Sequence, residues 1–151
     1  MRTDVASRVI AADPDAVFHA FLDADQLTAW LPPRGMRGEL ERFDPRPGGG
    51  FRMVLVHDQS PAGGGKAGLD RDVSEVEYTE IDPPGRLVQS IRFPSADPAA
   101  GGVMTMTWTF APRAGGTEVT IRATDVPDVI SAEDHALGMA SSLENLARLL
   151  E

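Results

Sequence analysis

Val103-Met104-Thr105-Met106-Thr107-Trp108-Thr109-Phe110 carries the clearest periodicity in the chain. Successive side chains of a strand point to opposite faces, so Met104, Met106, Trp108 and Phe110 share one side and Thr105, Thr107 and Thr109 the other. This predicts an antiparallel strand with one wet face and one buried face that is large, soft and aromatic. Further on, Ser131 followed by Asp134 resembles a capping box with Asp in place of Glu. Ala136, Met139, Ala140, Leu143, Leu146, Ala147 and Leu150 then recur at helical spacing to Glu151. They predict a last helix of about 20 residues, roughly 30 Å long, with a single apolar stripe. A strand with one apolar face and a helix with one apolar stripe bury both when the sheet wraps around the helix.

The segments between them fit that arrangement. Val5 to Ala11 reads as a short strand stopped by Asp13-Pro14, where Asp13 caps a helix running to about Leu22. Val17, Phe18, Phe21 and Leu22 would form its apolar face. Asp23 caps a second short helix that ends at Trp30, because Pro32-Pro33 forbids continuation. Residues 36–43 make a candidate strand of poor alternation, and 44–50 are dense turn chemistry. Strands follow at Phe51–Val56, Val73–Ile81, Arg86–Phe93 and Thr117–Thr124, with turns at Asp82–Gly85 and Gly115-Gly116. Residues 58–70, with Gly63-Gly64-Gly65, read as a flexible surface loop. The expected fold is α+β: a strongly curved antiparallel sheet of six or seven strands around a long C-terminal helix, with two short helices after the first strand. Residues 1–151 would form a single domain.

Composition narrows the function. Asp and Glu number 23 against 14 Lys and Arg, a net charge of −9, and the 13 Arg form no stripe. Such a surface repels phosphate backbones and anionic headgroups, so neither nucleic acid nor membrane is an expected partner. No apolar run approaches the roughly 20 residues that span a bilayer, and Met1-Arg2-Thr3-Asp4 opens no secretory leader. With no Cys there is no disulfide, thiolate nucleophile or thiolate-held metal, and a reduced cytoplasm is the expected location.

Several stretches together resemble the START-like, helix-grip (SRPBCC) superfamily. They are Ala12-Asp13-Pro14-Asp15-Ala16-Val17-Phe18 and Leu27-Thr28-Ala29-Trp30-Leu31-Pro32-Pro33, then Asp44-Pro45-Arg46-Pro47-Gly48-Gly49-Gly50-Phe51-Arg52. Glu80-Ile81-Asp82-Pro83-Pro84-Gly85-Arg86-Leu87-Val88, Gly115-Gly116-Thr117-Glu118-Val119-Thr120 and Gly138-Met139-Ala140-Ser141-Ser142-Leu143-Glu144-Asn145-Leu146 complete the set. The Asp-x-Arg-Pro-Gly-Gly turn is similar to that of one branch, the homologues of the C-terminal domain of the heat-shock-protein-90 ATPase activator. Members often carry Trp after the Gly of the last helix, where this chain has Met139. The resemblance implies the helix-grip fold with a deep cavity between sheet and last helix. It leaves activity open, since members include lipid and hormone binders, cyclases and toxin-resistance proteins, and the shared motifs mark turns and helix starts.

Candidate chemistry is sparse. His57 shares the parity of Phe51, Met53 and Leu55 and would serve as acid or base if it faced a cavity, although a strand-end His commonly meets solvent. His135 stands beside Glu133 and Asp134, yet His19, His57 and His135 show no metal-ligand spacing, and no metal or cofactor is expected. Glu80 shares the parity of Tyr78 but lies near a strand end, where solvation is expected. The two Gly runs lack the context of a phosphate loop, and Ser141-Ser142 lacks a nucleophile elbow. What remains is an apolar face that reads as filled core or as the lining of a cavity, with Gln89 on it either half-exposed at the sheet end or a hydrogen-bonder within the cavity. The residues expected to contact a ligand are Trp30, Phe51, Met53, Leu55, Tyr78, Gln89, Ile91, Met104, Met106, Trp108, Met139 and Leu143, with Tyr78 and Gln89 orienting it by hydrogen bonds. The ligand would be a small apolar molecule, neutral or cationic, since no inward Arg is evident and Arg92 faces outward by parity. No catalytic residue is assigned. A co-chaperone-like interaction module is the alternative, against which weighs the further N-terminal domain of the eukaryotic activators; a cyclase or hydrolase using His57 in the same cavity is another. An unpaired sheet edge leaves a homodimer open.

Overall fold

The computed structural model describes residues 2–32, 36–57, 71–83, 85–93, 102–126 and 131–151. The elements run β1 (Thr3–Ile10), α1 (Pro14–His19), α2 (Ala24–Trp30), β2 (Met36–Asp44), β3 (Gly50–His57), β4 (Arg71–Asp82), β5 (Arg86–Phe93), β6 (Gly102–Arg113), β7 (Gly116–Thr124) and α3 (Ala132–Leu150). Seven strands form one antiparallel curved sheet in the order β1-β7-β6-β5-β4-β3-β2, which confirms the α+β class. β1 and β2 are its two edges, so the α1–α2 segment carries the chain from one edge to the other. The loop of residues 58–70 falls outside the described residues for all of its length.

The caps are where the sequence places them. Asp13 accepts from the Ala16 amide at 2.8 Å, Asp23 from that of Gln26 at 3.1 Å, and Ser131 Oγ from that of Asp134 at 3.0 Å. Each satisfies an amide that the first helical turn leaves without a partner. α1 nevertheless stops at His19 rather than Leu22, and a turn sets Phe21 fully inside the core. The C-terminal end of α2 is closed by tertiary contacts. Pro32 brings no N–H, and α3 answers the last carbonyls: Ser142 Oγ donates to Leu31 O at 3.0 Å, and Asn145 Nδ2 to Trp30 O at 3.2 Å and Pro32 O at 2.9 Å.

Two bulges explain where alternation fails. In β2 the register shifts between Leu40 and Arg42, which accounts for the weak pattern of that strand. In β4 it shifts between Tyr78 and Glu80, so parity inverts. Glu80 therefore faces outward and pairs with Arg86 at 3.3 Å, solvated as its strand-end position predicts, while its parity with Tyr78 does not hold. Two further departures concern burial. Val54 and Val56 are buried as well as Phe51 and Met53, and on α3 Ala136 and Ala140 are exposed while Ser142 is buried. The triglycine turn is structural: Gly48 takes φ +85° and donates to Tyr78 O at 2.8 Å, and a Cβ on Gly50 would lie 1.9 Å from Val76 O.

Candidate functional site: a cavity beneath the last helix

Cross-strand pairing aligns the inward residues in rows. One row is Phe51–Val76–Ile91–Met104, the next Tyr78–Gln89–Met106–Ala123–Asp4, and the next Leu87–Trp108–Ile121–Ala6. At one end of this face α1 and α2 fill the space. Phe21 lies 4.7 Å from both Trp30 and Trp108, Trp30 lies 5.6 Å from Trp108, and Phe110 meets Phe18 and Phe21 at 5.4 and 5.3 Å. These tilted and edge-to-face contacts form a solid aromatic block.

Beyond that block, the first turns of α3 bridge the sheet without filling it, and a cavity of about 240 Å³ remains. Phe51, Met53, Leu55, Gln89, Ile91, Met104, Met106, Trp108 and Met139 line it. Sequence reasoning missed Leu31, Ser74, Val76, Ile121, His135, Gly138 and Ser142, which are the other described residues of the lining. Parity alone would have added Val76, Ile121 and Ser74, since they share faces with Tyr78, Val119 and Val76 respectively.

Three of the residues expected to touch a ligand lie in the core and do not line the cavity. Trp30 is fully buried and donates its indole N–H to Ala20 O at 2.9 Å. Tyr78 is also fully buried, and its hydroxyl donates to Phe21 O at 2.8 Å, so its hydrogen bond goes to backbone rather than to the cavity. Burial pushes the Tyr78 phenol far above its ordinary pKa, keeping it a neutral donor. Leu143 is 2% exposed and packs in the same core.

Gln89 is 4% exposed, and its Oε1 accepts from the Trp108 indole N–H at 2.9 Å. At the other end of the same row Asp4 Oδ2 is 2.7 Å from His135 Nδ1 and 3.1 Å from an Arg2 guanidinium nitrogen. The hydrogen bond with His135, with Arg2 adding to it, holds the Asp4 carboxyl below its ordinary 3.8. A carboxylate only accepts, so Nδ1 carries the proton and Nε2 is the ring's second polar atom. His57 ends β3 opposite Met36, and its side chain lies outside the described residues. His19 is exposed beside Asp23 at 3.7 Å and does not line the cavity. Among the described residues no three His, Asp or Glu side chains converge as a metal site. No helix there is long and apolar enough to cross a membrane.

Comparison with known proteins places this geometry. The profile described as Activator of Hsp90 ATPase homolog 1-like protein matches residues 11–151. The crystal structure of protein CV1439 from Chromobacterium violaceum is similar at 33% identity, covering 99% of this chain and 96% of that one with a TM-score of 0.86. The AHSA1 protein of Silicibacter pomeroyi shares the fold at 20% identity and a TM-score of 0.77, covering 99% of this chain and 97% of its own. An AHSA1-like protein from Aeromonas hydrophila shares it at 20% identity and a TM-score of 0.72, over 97% of this chain and 90% of that one. Comparison with curated proteins yields no match. With the profile spanning all but the first strand, the chain belongs to the Activator of Hsp90 ATPase homolog 1-like family.

Proposed function

We propose that residues 1–151 act as one domain that binds a small, largely apolar molecule between α3 and the sheet. The observation that carries this is the cavity of about 240 Å³ walled by Met, Phe, Leu, Ile, Val and Trp side chains. An apolar void of roughly 150 Å³ already accepts benzene, while pockets for drug-sized molecules begin near 300 Å³. The fitting ligand is therefore of one or two fused rings or a short branched chain. Among the described residues the lining contains no Lys or Arg, which disfavours a strongly anionic ligand. Met side chains adapt their shape, so several related molecules would fit.

The test is a thermal-shift and native mass-spectrometry screen with indane and naphthalene as probes. Binding should raise the melting temperature of the wild type and fail in Met106→Trp, whose ring would occupy the void. Far-ultraviolet circular dichroism establishes that the variant is folded. A wild type that neither shifts nor retains a probe would overturn the reading.

A second reading is a co-chaperone-like interaction module, favoured by Val5 and Val9, which stand 58% and 49% exposed on the outer side of edge strand β1. Substituting both by Thr would abolish partner activation under this reading and leave probe binding untouched.

A further inference from the structure

We propose that the cavity selects molecules bearing a carbonyl-type oxygen, which the Gln89 side-chain amide receives. The inference rests on the binding reading above and adds the ligand's chemical class.

The orientation of the amide is fixed by its partner. An indole N–H can only donate, so the Gln89 atom facing Trp108 Nε1 at 2.9 Å is the oxygen. The Nε2 group is thereby turned away from Trp108. Gln89 is 4% exposed and lines the cavity, and among the described residues nothing accepts from Nε2. Among the described residues the buried side-chain atoms left without a partner are on Arg2 and Arg52, so Nε2 retains access to the cavity, and an oxygen bound there can accept from it.

Of the other polar side chains of the lining, Ser74, Ser142 and His135, the last two have partners within the chain. Ser142 Oγ is committed to Leu31 O at 3.0 Å, and His135 Nδ1 to Asp4 at 2.7 Å. In the row Gln89–Met106–Ala123–Asp4, three strand spacings separate the amide from the Asp4–His135 pair. That is roughly 14 Å along the sheet. Between them the walls are apolar, with Met106 beside the amide. The geometry matches a compact hydrophobic body with its carbonyl at the Trp108 end, such as a cyclic ketone, lactone or aryl aldehyde. Among the described residues no cation adjoins Gln89 in the lining to offset the desolvation of an anion, so a neutral oxygen fits better.

A matched pair of probes tests this: 1-indanone and indane differ by one oxygen in place of two hydrogens. Hydrophobic transfer alone favours indane, because the ketone must shed water. The wild type should bind 1-indanone about tenfold more tightly than indane by titration calorimetry, the ratio that one hydrogen bond near the upper end of the usual net range supports. The Gln89 side-chain NH2 signals should move in ¹⁵N-correlated spectra with the ketone and stay with the hydrocarbon. In Gln89→Met the preference should vanish or reverse. Because that variant strands the Trp108 indole N–H, Gln89→Met with Trp108→Phe provides the same comparison without an orphaned donor. Equal binding of both probes by wild type would overturn the selectivity and leave the apolar cavity intact. Binding of neither probe would overturn both readings.

Discussion

Tyr78→Phe separates a strut from a ligand contact. The ring is fully buried, 5.8 Å from that of Phe51, and its hydroxyl donates at 2.8 Å to the Phe21 carbonyl in the turn between α1 and α2. Removing one oxygen leaves the ring packing in place and strands a carbonyl in the core. Losing such a bond and leaving its acceptor unpaired costs about 1–3 kcal/mol. Unfolding entropy near 2.1 cal/mol/K per residue gives this chain of 151 residues about 0.3 kcal/mol/K. The melting temperature should therefore fall by about 3–10 °C.

The assay is thermal and urea denaturation followed by circular dichroism. The urea slope should be unchanged, since the surface exposed on unfolding is the same. Because burial holds the phenol neutral well beyond its ordinary range, the loss should be constant from pH 5 to 9. Indane binding should match the wild type, as Tyr78 does not line the cavity. A variant within about 1 °C of wild type that loses affinity for 1-indanone would refute the argument, placing the hydroxyl in the site and not under the α1–α2 turn.

Three other perturbations follow from the same structure. The Asp4 carboxyl titrates below 3.8 in the folded state because of His135 and Arg2. Its stabilising contribution is thus present above that value and lost as pH falls through the folded-state pKa. Plotted against pH, the melting-temperature gap between wild type and Asp4→Asn should be constant near neutrality and close below about pH 4. Asn145→Ala deprives the Trp30 and Pro32 carbonyls of their donor and should cost about 1–3 kcal/mol by chemical denaturation. Gly138→Ala should gain about 0.5–1 kcal/mol, because its Cβ meets no atom within 4 Å and Ala favours the helix. Crowding the cavity roof, it should also weaken naphthalene binding in the thermal-shift assay.

What the sequence makes legible here is direction, and what it hides is occupancy. The caps at Asp13, Asp23 and Ser131 and the alternation of β6 are local, so they can be read residue by residue and they suffice for the fold. Parity likewise turns Tyr78 and Gln89 inward, but it cannot say which of them meets a neighbour and which meets a void. That depends on pairs distant in sequence, such as Tyr78 with Phe21 at 57 residues' separation and His135 with Asp4 at 131. Bulges compound the difficulty, since one extra residue after Tyr78 reverses the reading of Glu80. The polar side chains of the interior are sorted by the same long-range contacts. Thr117 is claimed by Ala12 O at 2.7 Å and Ser142 by Leu31 O. The indole and phenol donors of Trp30 and Tyr78 are claimed by Ala20 and Phe21. Each of these acceptors belongs to the β1–β2 crossover, where turns and short helices leave carbonyls without ladder partners. The crossover thus draws the inward polar groups near it into the core. Gln89 is beyond its reach in the middle of the sheet, engaged through its oxygen by Trp108, and its amide protons are left to the cavity.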